Sequence, residues 1–98
     1  MATAIQDAWY YRGIALHHLG RNEQAIASYD KAIEIKPDLQ DAWYNKACCY
    51  VLQNPFDKGI EHLAKAIDLN TKWRDKAKTD SDFDSIRDDE QFKALIQG

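Results

Sequence analysis

The segment Gln6-Asp7-Ala8-Trp9-Tyr10 returns 34 residues later as Gln40-Asp41-Ala42-Trp43-Tyr44, and this self-similarity constrains the fold more than any other feature. Sliding residues 6–39 onto 40–73 keeps register without a gap. Ile26 falls on Ile60, Lys31-Ala32-Ile33 on Lys65-Ala66-Ile67, and Ile35 on Leu69. A unit of this length buries its apolar side only by stacking on a neighbour, so the period points to a repeat array.

Each unit is punctuated as two helices. Thr3-Ala4-Ile5-Gln6 reads as a capping box opening a helix whose small and apolar positions Ile5, Ala8, Trp9, Gly13 and Leu16 follow the 3.6-residue period. Gly20 ends it. Asn22 is placed to cap a second helix carrying Ala25, Ile26, Tyr29, Ala32 and Ile33, and Pro37 forbids its continuation. In the second unit Asp38 is placed to cap a helix through Ala42, Trp43, Ala47 and Tyr50. Asn54-Pro55 makes the turn, and Ile60, Leu63, Ala66 and Ile67 line the partner helix. Gly13 with Ala25 in one unit and Ala47 with Gly59 in the other conserve one methyl per contact, which predicts a close helix crossing. No segment alternates as a strand does, so the chain reads as all-α.

The period, with Trp9, Gly13, Ala25, Tyr29, Ala32 and Pro37 echoed by Trp43, Tyr50, Leu63 and Ala66, resembles the tetratricopeptide repeat (TPR). The resemblance covers residues 6–73. It implies a right-handed helical-repeat solenoid, an α-α superhelix of two units plus a degenerate third unit with a capping helix. Residues 1–98 then form a single domain, with repeat 1 at 6–39, repeat 2 at 40–73, and a partial third repeat and capping helix at 74–98. Arg12 and Lys46 stand where the family often has Leu, and are expected to lie along the surface; Thr71 stands where the closing Pro would fall.

Beyond residue 71, Lys72, Arg74, Lys76 and Lys78 with Trp73 and Ala77 suggest a short basic helix, which Asp80-Ser81-Asp82 interrupts. Asp88-Asp89-Glu90 then suits the start of a last helix bearing Phe92, Leu95 and Ile96. Such a helix covers the apolar side that the last repeat leaves open.

Several chemistries find no footing. Thirteen Lys and Arg against sixteen Asp and Glu in 98 residues give a net charge of −3, the wrong sign for a nucleic-acid partner. The longest apolar run, Ala47 to Leu52, is far short of a membrane span. Asp80-Ser81-Asp82-Phe83-Asp84 begins like a calcium loop, but Ser85 and Gln91 stand where that loop requires Gly and Glu. His17 and His18 are adjacent and point apart on a helix. Even with Cys48 nearby they do not complete a zinc ligand set, so no metal and no cofactor is expected. Cys48 and Cys49 are adjacent, a poor spacing for a disulfide, and fit a reducing, cytoplasmic setting. No third group is visible to orient a Cys-His pair, and the four glycines are scattered, so catalysis is not expected.

What remains is a second stripe on the first helix of each unit. Tyr10, Ile14 and His17 or His18 are echoed by Tyr44, Cys48 and Val51 or Leu52. Apolar surface beyond what packing needs predicts an interaction face. The TPR resemblance implies that these positions line a concave groove receiving a peptide or partner helix, together with Asp7, Tyr11, Asp41 and Asn45. Some members clamp a terminal carboxylate with Lys and Asn side chains; here only Asn45 matches, while Tyr10, Ile14, Asp75 and Thr79 occupy the other places, so acidic tails are disfavoured. The reading is a non-catalytic protein-interaction module, monomeric, with neither nucleic acid nor membrane as partner. The alternative is a structural spacer or self-association unit forming a homodimer.

Overall fold

A computed structural model describes residues 5–53 and 56–97, and among these every regular element is helical. The elements are α1 (Ile5–His18), α2 (Asn22–Ile35), α3 (Gln40–Gln53), α4 (Phe56–Leu69), α5 (Lys72–Thr79), a 3₁₀ turn (Ser81–Ile86) and α6 (Glu90–Gln97). Helix α1 packs on α2 and α3 on α4, while α2 meets α3 to join the two units. The result is an elongated body of 44 × 26 × 19 Å, the all-α helical-repeat solenoid that the period predicts.

Helix ends follow the punctuation in part. Gly20 takes the left-handed backbone (φ 77°), and the amides of Gly20 and Arg21 donate to the carbonyls of His17 and Leu16, a glycine stop that a side-chain-bearing residue would strain. Asn22 does not cap α2: it is that helix's first residue, and Arg21 precedes it without a side-chain cap. Helix α3 starts at Gln40, two residues past Asp38, with the Leu39 carbonyl accepting from Ala42 and Trp43. At the far end Asp89 Oδ1 accepts from the Phe92 amide at 3.0 Å, so α6 begins where its acidic run predicts. Thr3-Ala4 and Asn54-Pro55 lie outside the described residues.

The core has two parts. Ala25, Ile26, Tyr29, Ala42 and Cys49 form one between α2 and α3, flanked by Tyr10, Ile14 and Leu16 from α1. The other combines Tyr44, Ala47, Cys48 and Val51 of α3 with Leu63, Ala66 and Ile67 of α4. Trp73, Ala77, Phe83, Ile86 and Phe92 complete it from the C-terminal elements. The close crossings are real, and larger side chains help to fill them. A methyl group at Gly13 would meet the Tyr29 ring at 2.5–2.9 Å. One at Gly59 would meet Val51 Cγ2 at 2.5 Å and the Ala47 carbonyl at 3.3 Å.

Lys46 corrects the surface expectation. It is only 7% exposed, pairs with Asp30 of α2, and lies over the rings of Trp43 and Tyr50, so it pins one repeat to the next. Arg12, by contrast, lies exposed over Trp9.

Candidate functional site

Only part of the stripe on α1 and α3 lines a common cleft, because the C-terminal elements pack against the rest. The 3₁₀ turn packs on α3. Its Phe83 meets Tyr44 edge-on at 5.7 Å, and Trp73 of α5 stacks on the same phenol ring at 4.6 Å. Tyr44 is therefore 1% exposed and donates its hydroxyl proton to Asp80 Oδ2 at 2.7 Å. This overturns its place as a groove residue: the tail that the sequence assigns to the solenoid's end also covers part of the stripe. Val51 is buried against Gly59 of α4, and Leu52, half exposed, lies away from the cleft. Asp7 and the exposed Tyr11 also stand outside it.

What stays open is a cleft of about 330 Å³ between α1, α3 and the tail. Tyr10, Ile14, His17 and His18 form one wall, Asp41, Asn45 and the floor residue Cys48 the second, and Trp73, Lys76, Asp80 and Asp82 the third. Seven of the residues expected in the groove are thus brought together, joined by four that the sequence reading missed. The missing signal was Asp80-Ser81-Asp82: treated as a break in a helix, it is a capped turn, with Asp80 Oδ1 accepting from the Asp82 amide at 3.0 Å.

The walls are tied to one another. Asn45 Nδ2 donates to the Tyr10 hydroxyl at 3.2 Å, linking α3 to α1. His17 Nε2 lies 3.1 Å from Asp82 Oδ2, joining α1 to the turn across 65 residues of sequence. Trp73 Nε1 donates to Gln40 Oε1 at 2.7 Å. Three carboxylates, Asp41, Asp80 and Asp82, face one lysine, Lys76, so the cleft is acidic.

Burial sets the protonation of the cleft's weak acids. It pushes the Tyr10 hydroxyl up to about 12, with the Asp41 charge adding to it. Burial, then the charges of Asp80 and Asp82, raise the Cys48 thiol, and burial followed by Asp82 takes Cys49 to about 12. Both cysteines are free and buried, and stay thiols at neutral pH, poor nucleophiles. The arrangement suits contact and hydrogen bonding rather than group transfer.

Two tetratricopeptide repeat profiles match the chain, over residues 7–39 and 28–68. The chain belongs to the tetratricopeptide repeat family. An uncharacterized protein of Methanocaldococcus jannaschii is 33% identical over 63 residues, covering 62% of this chain and 73% of that protein. Tetratricopeptide repeat protein 36 of Caenorhabditis elegans is 37% identical over 57 residues, 58% of this chain and 32% of that protein. The peroxisomal targeting signal receptor of Eremothecium gossypii is 32% identical over 62 residues, 63% of this chain but 11% of that receptor. The TPR fold is in general a protein-interaction fold, and among the described residues no helix is long and apolar enough to cross a membrane.

Proposed function

We propose that this TPR chain is a non-catalytic binding module whose cleft receives side chains from an extended or helical segment of a protein partner. The observation that carries the reading is the cleft itself: Tyr10 and Ile14 offer apolar surface, while Asn45, His17 and His18 offer hydrogen bonds. Relatives named peroxisomal targeting signal receptors support a peptide-like ligand. Three carboxylates repel an acidic tail, so the segment carries an apolar anchor and no cluster of Asp or Glu. A cleft this small holds only a few side chains, and the affinity expected is micromolar. The free thiols are consistent with a reducing, cytoplasmic compartment.

Selection of a random peptide library on the immobilised chain tests this, with Ile14→Asp as the counter-selection. Enriched peptides are expected to share an apolar residue, to be poor in Asp and Glu, and to lose at least about tenfold in affinity for Tyr10→Ala, a contact loss of about 1.4 kcal/mol. Equal enrichment on wild type and Ile14→Asp would remove the cleft as the binding site.

A further inference from the structure

The floor of the cleft gathers ligand atoms of a kind that the sequence scatters. Cys48 Sγ and one carboxylate oxygen each from Asp80 and Asp82 lie within 4.8 Å of one another. One ligand comes from the middle of α3 and two from the tail, so only the folded chain assembles them. Donors on one zinc ion at tetrahedral angles stand about 3.3–3.7 Å apart, so a contraction of up to about 1.5 Å closes the set.

Each carboxylate already has a polar side-chain neighbour. Tyr44 donates to Asp80 Oδ2 at 2.7 Å, and His17 Nε2 lies 3.1 Å from Asp82 Oδ2. Carboxylate oxygens carry two lone pairs each, so these bonds leave lone pairs for an ion, and outer partners of this sort are what fix a metal ligand's orientation. Among the described residues no Lys or Arg forms an ion pair with Asp80 or Asp82; the one pairing partner of either is His17, on Asp82. The thiol beside them is 1% exposed.

We propose that Cys48, Asp80 and Asp82 bind one zinc ion, with Tyr44 and His17 positioning the two carboxylates and the fourth coordination place opening into the cleft. The donor set selects the metal. A sulfur ligand is foreign to magnesium and calcium, whereas zinc accepts thiolate and carboxylate together in a four-coordinate shell. As the zinc–sulfur bond forms, the Cys48 proton leaves to solvent, so one proton is released per ion bound. This site bridges α3 to the tail, and binding to the folded chain alone raises its stability.

The test uses the whole chain, reduced and metal-free, titrated with cobalt(II) as a spectroscopic stand-in for zinc. A sulfur-to-cobalt charge-transfer band and tetrahedral ligand-field bands are expected to saturate at one equivalent, and to vanish on addition of zinc. Zinc alone is expected to raise the melting temperature. Cys48→Ser and Asp82→Asn are each expected to weaken cobalt binding at least about tenfold, while Cys49→Ser keeps the band. Should Cys48→Ser fail to fold, the wild-type spectrum and the part-exposed Asp82→Asn still decide. A wild-type chain without the charge-transfer band at stoichiometric cobalt, or a band undiminished in a folded Cys48→Ser or Asp82→Asn, overturns the site. Peptide binding plays no part in this measurement, so its result stands apart from the groove reading.

Discussion

Trp43 and Tyr44 sit about 100° apart on α3, and the structure sends the phenol into the core while leaving the indole partly covered. The repeat pattern alone favours the opposite assignment, because it places Trp on the packing side and Tyr on the groove side. What reverses it lies far along the chain: Trp73 and Phe83 against the ring and Asp80 on the hydroxyl. Tyr44→Ala removes a fully buried ring and orphans a carboxylate hydrogen bond, so urea unfolding is expected to show a loss of about 3–5 kcal/mol. Trp43 is only partly buried, with Nε1 donating to the Pro37 carbonyl at 2.8 Å and its ring against His62 at 5.5 Å. Trp43→Ala is expected to cost about 1–2 kcal/mol, and the reverse ranking of the two variants would refute the buried-phenol geometry. Lys46 teaches the same lesson. Its pairing with Asp30 is a contact between repeats, which the pattern within one repeat does not encode.

Helix pairs were legible in the sequence because their signals are local. Gly20 stops α1, Pro37 follows α2, and the buried positions of α2 and α4 fall where their period puts them. Which side chain fills the space at each glycine was not, since that depends on how two helices cross. At Gly59 the obstacle is Val51, a β-branched side chain with little freedom to move, backed by the Ala47 carbonyl. Gly59→Ala gains about 1 kcal/mol in helix propensity but is expected to lose about 1–3 kcal/mol to overpacking, a net destabilisation. Adding Val51→Ala should recover most of it, and additive losses in the double variant would show that the clash lies elsewhere. The tail, read as an end cap, is as much a wall of the cleft. Ending the chain at Thr79 removes Phe83, Ile86 and Phe92, each buried and worth about 1.5–3 kcal/mol. That loss is on the scale of a small domain's whole stability, so the shortened chain is expected to lose its helical circular dichroism or to aggregate. An intact monomer with an unchanged melting temperature would contradict it.

Across the molecule, the two parts of the core share a vulnerability to alkali. Tyr29 and Cys49 belong to one part, Tyr44 and Cys48 to the other, and Tyr10 flanks the first. Burial is the leading cause of a raised pKa in all five. A weak acid whose folded pKa exceeds its unfolded one contributes stability that is fully present below the unfolded value and is lost as pH rises through the folded value. The unfolded values are 9.0 for the thiols and 10.0 for the phenols, and Tyr10 and Cys49 reach about 12 when folded. From pH 9 upward the unfolded chain therefore sheds protons that the folded chain keeps, and stability falls steadily toward pH 12. The parts are joined by α3, which contributes to both, and by the Lys46–Asp30 pair, so they should fail together. Phenolate absorbance from the buried tyrosines is then expected to rise in one cooperative step with the loss of helical circular dichroism. Buried tyrosines that ionise gradually near pH 10 while the helices persist would mean that these rings are open to water. Two separated steps would mean instead that the repeats unfold independently.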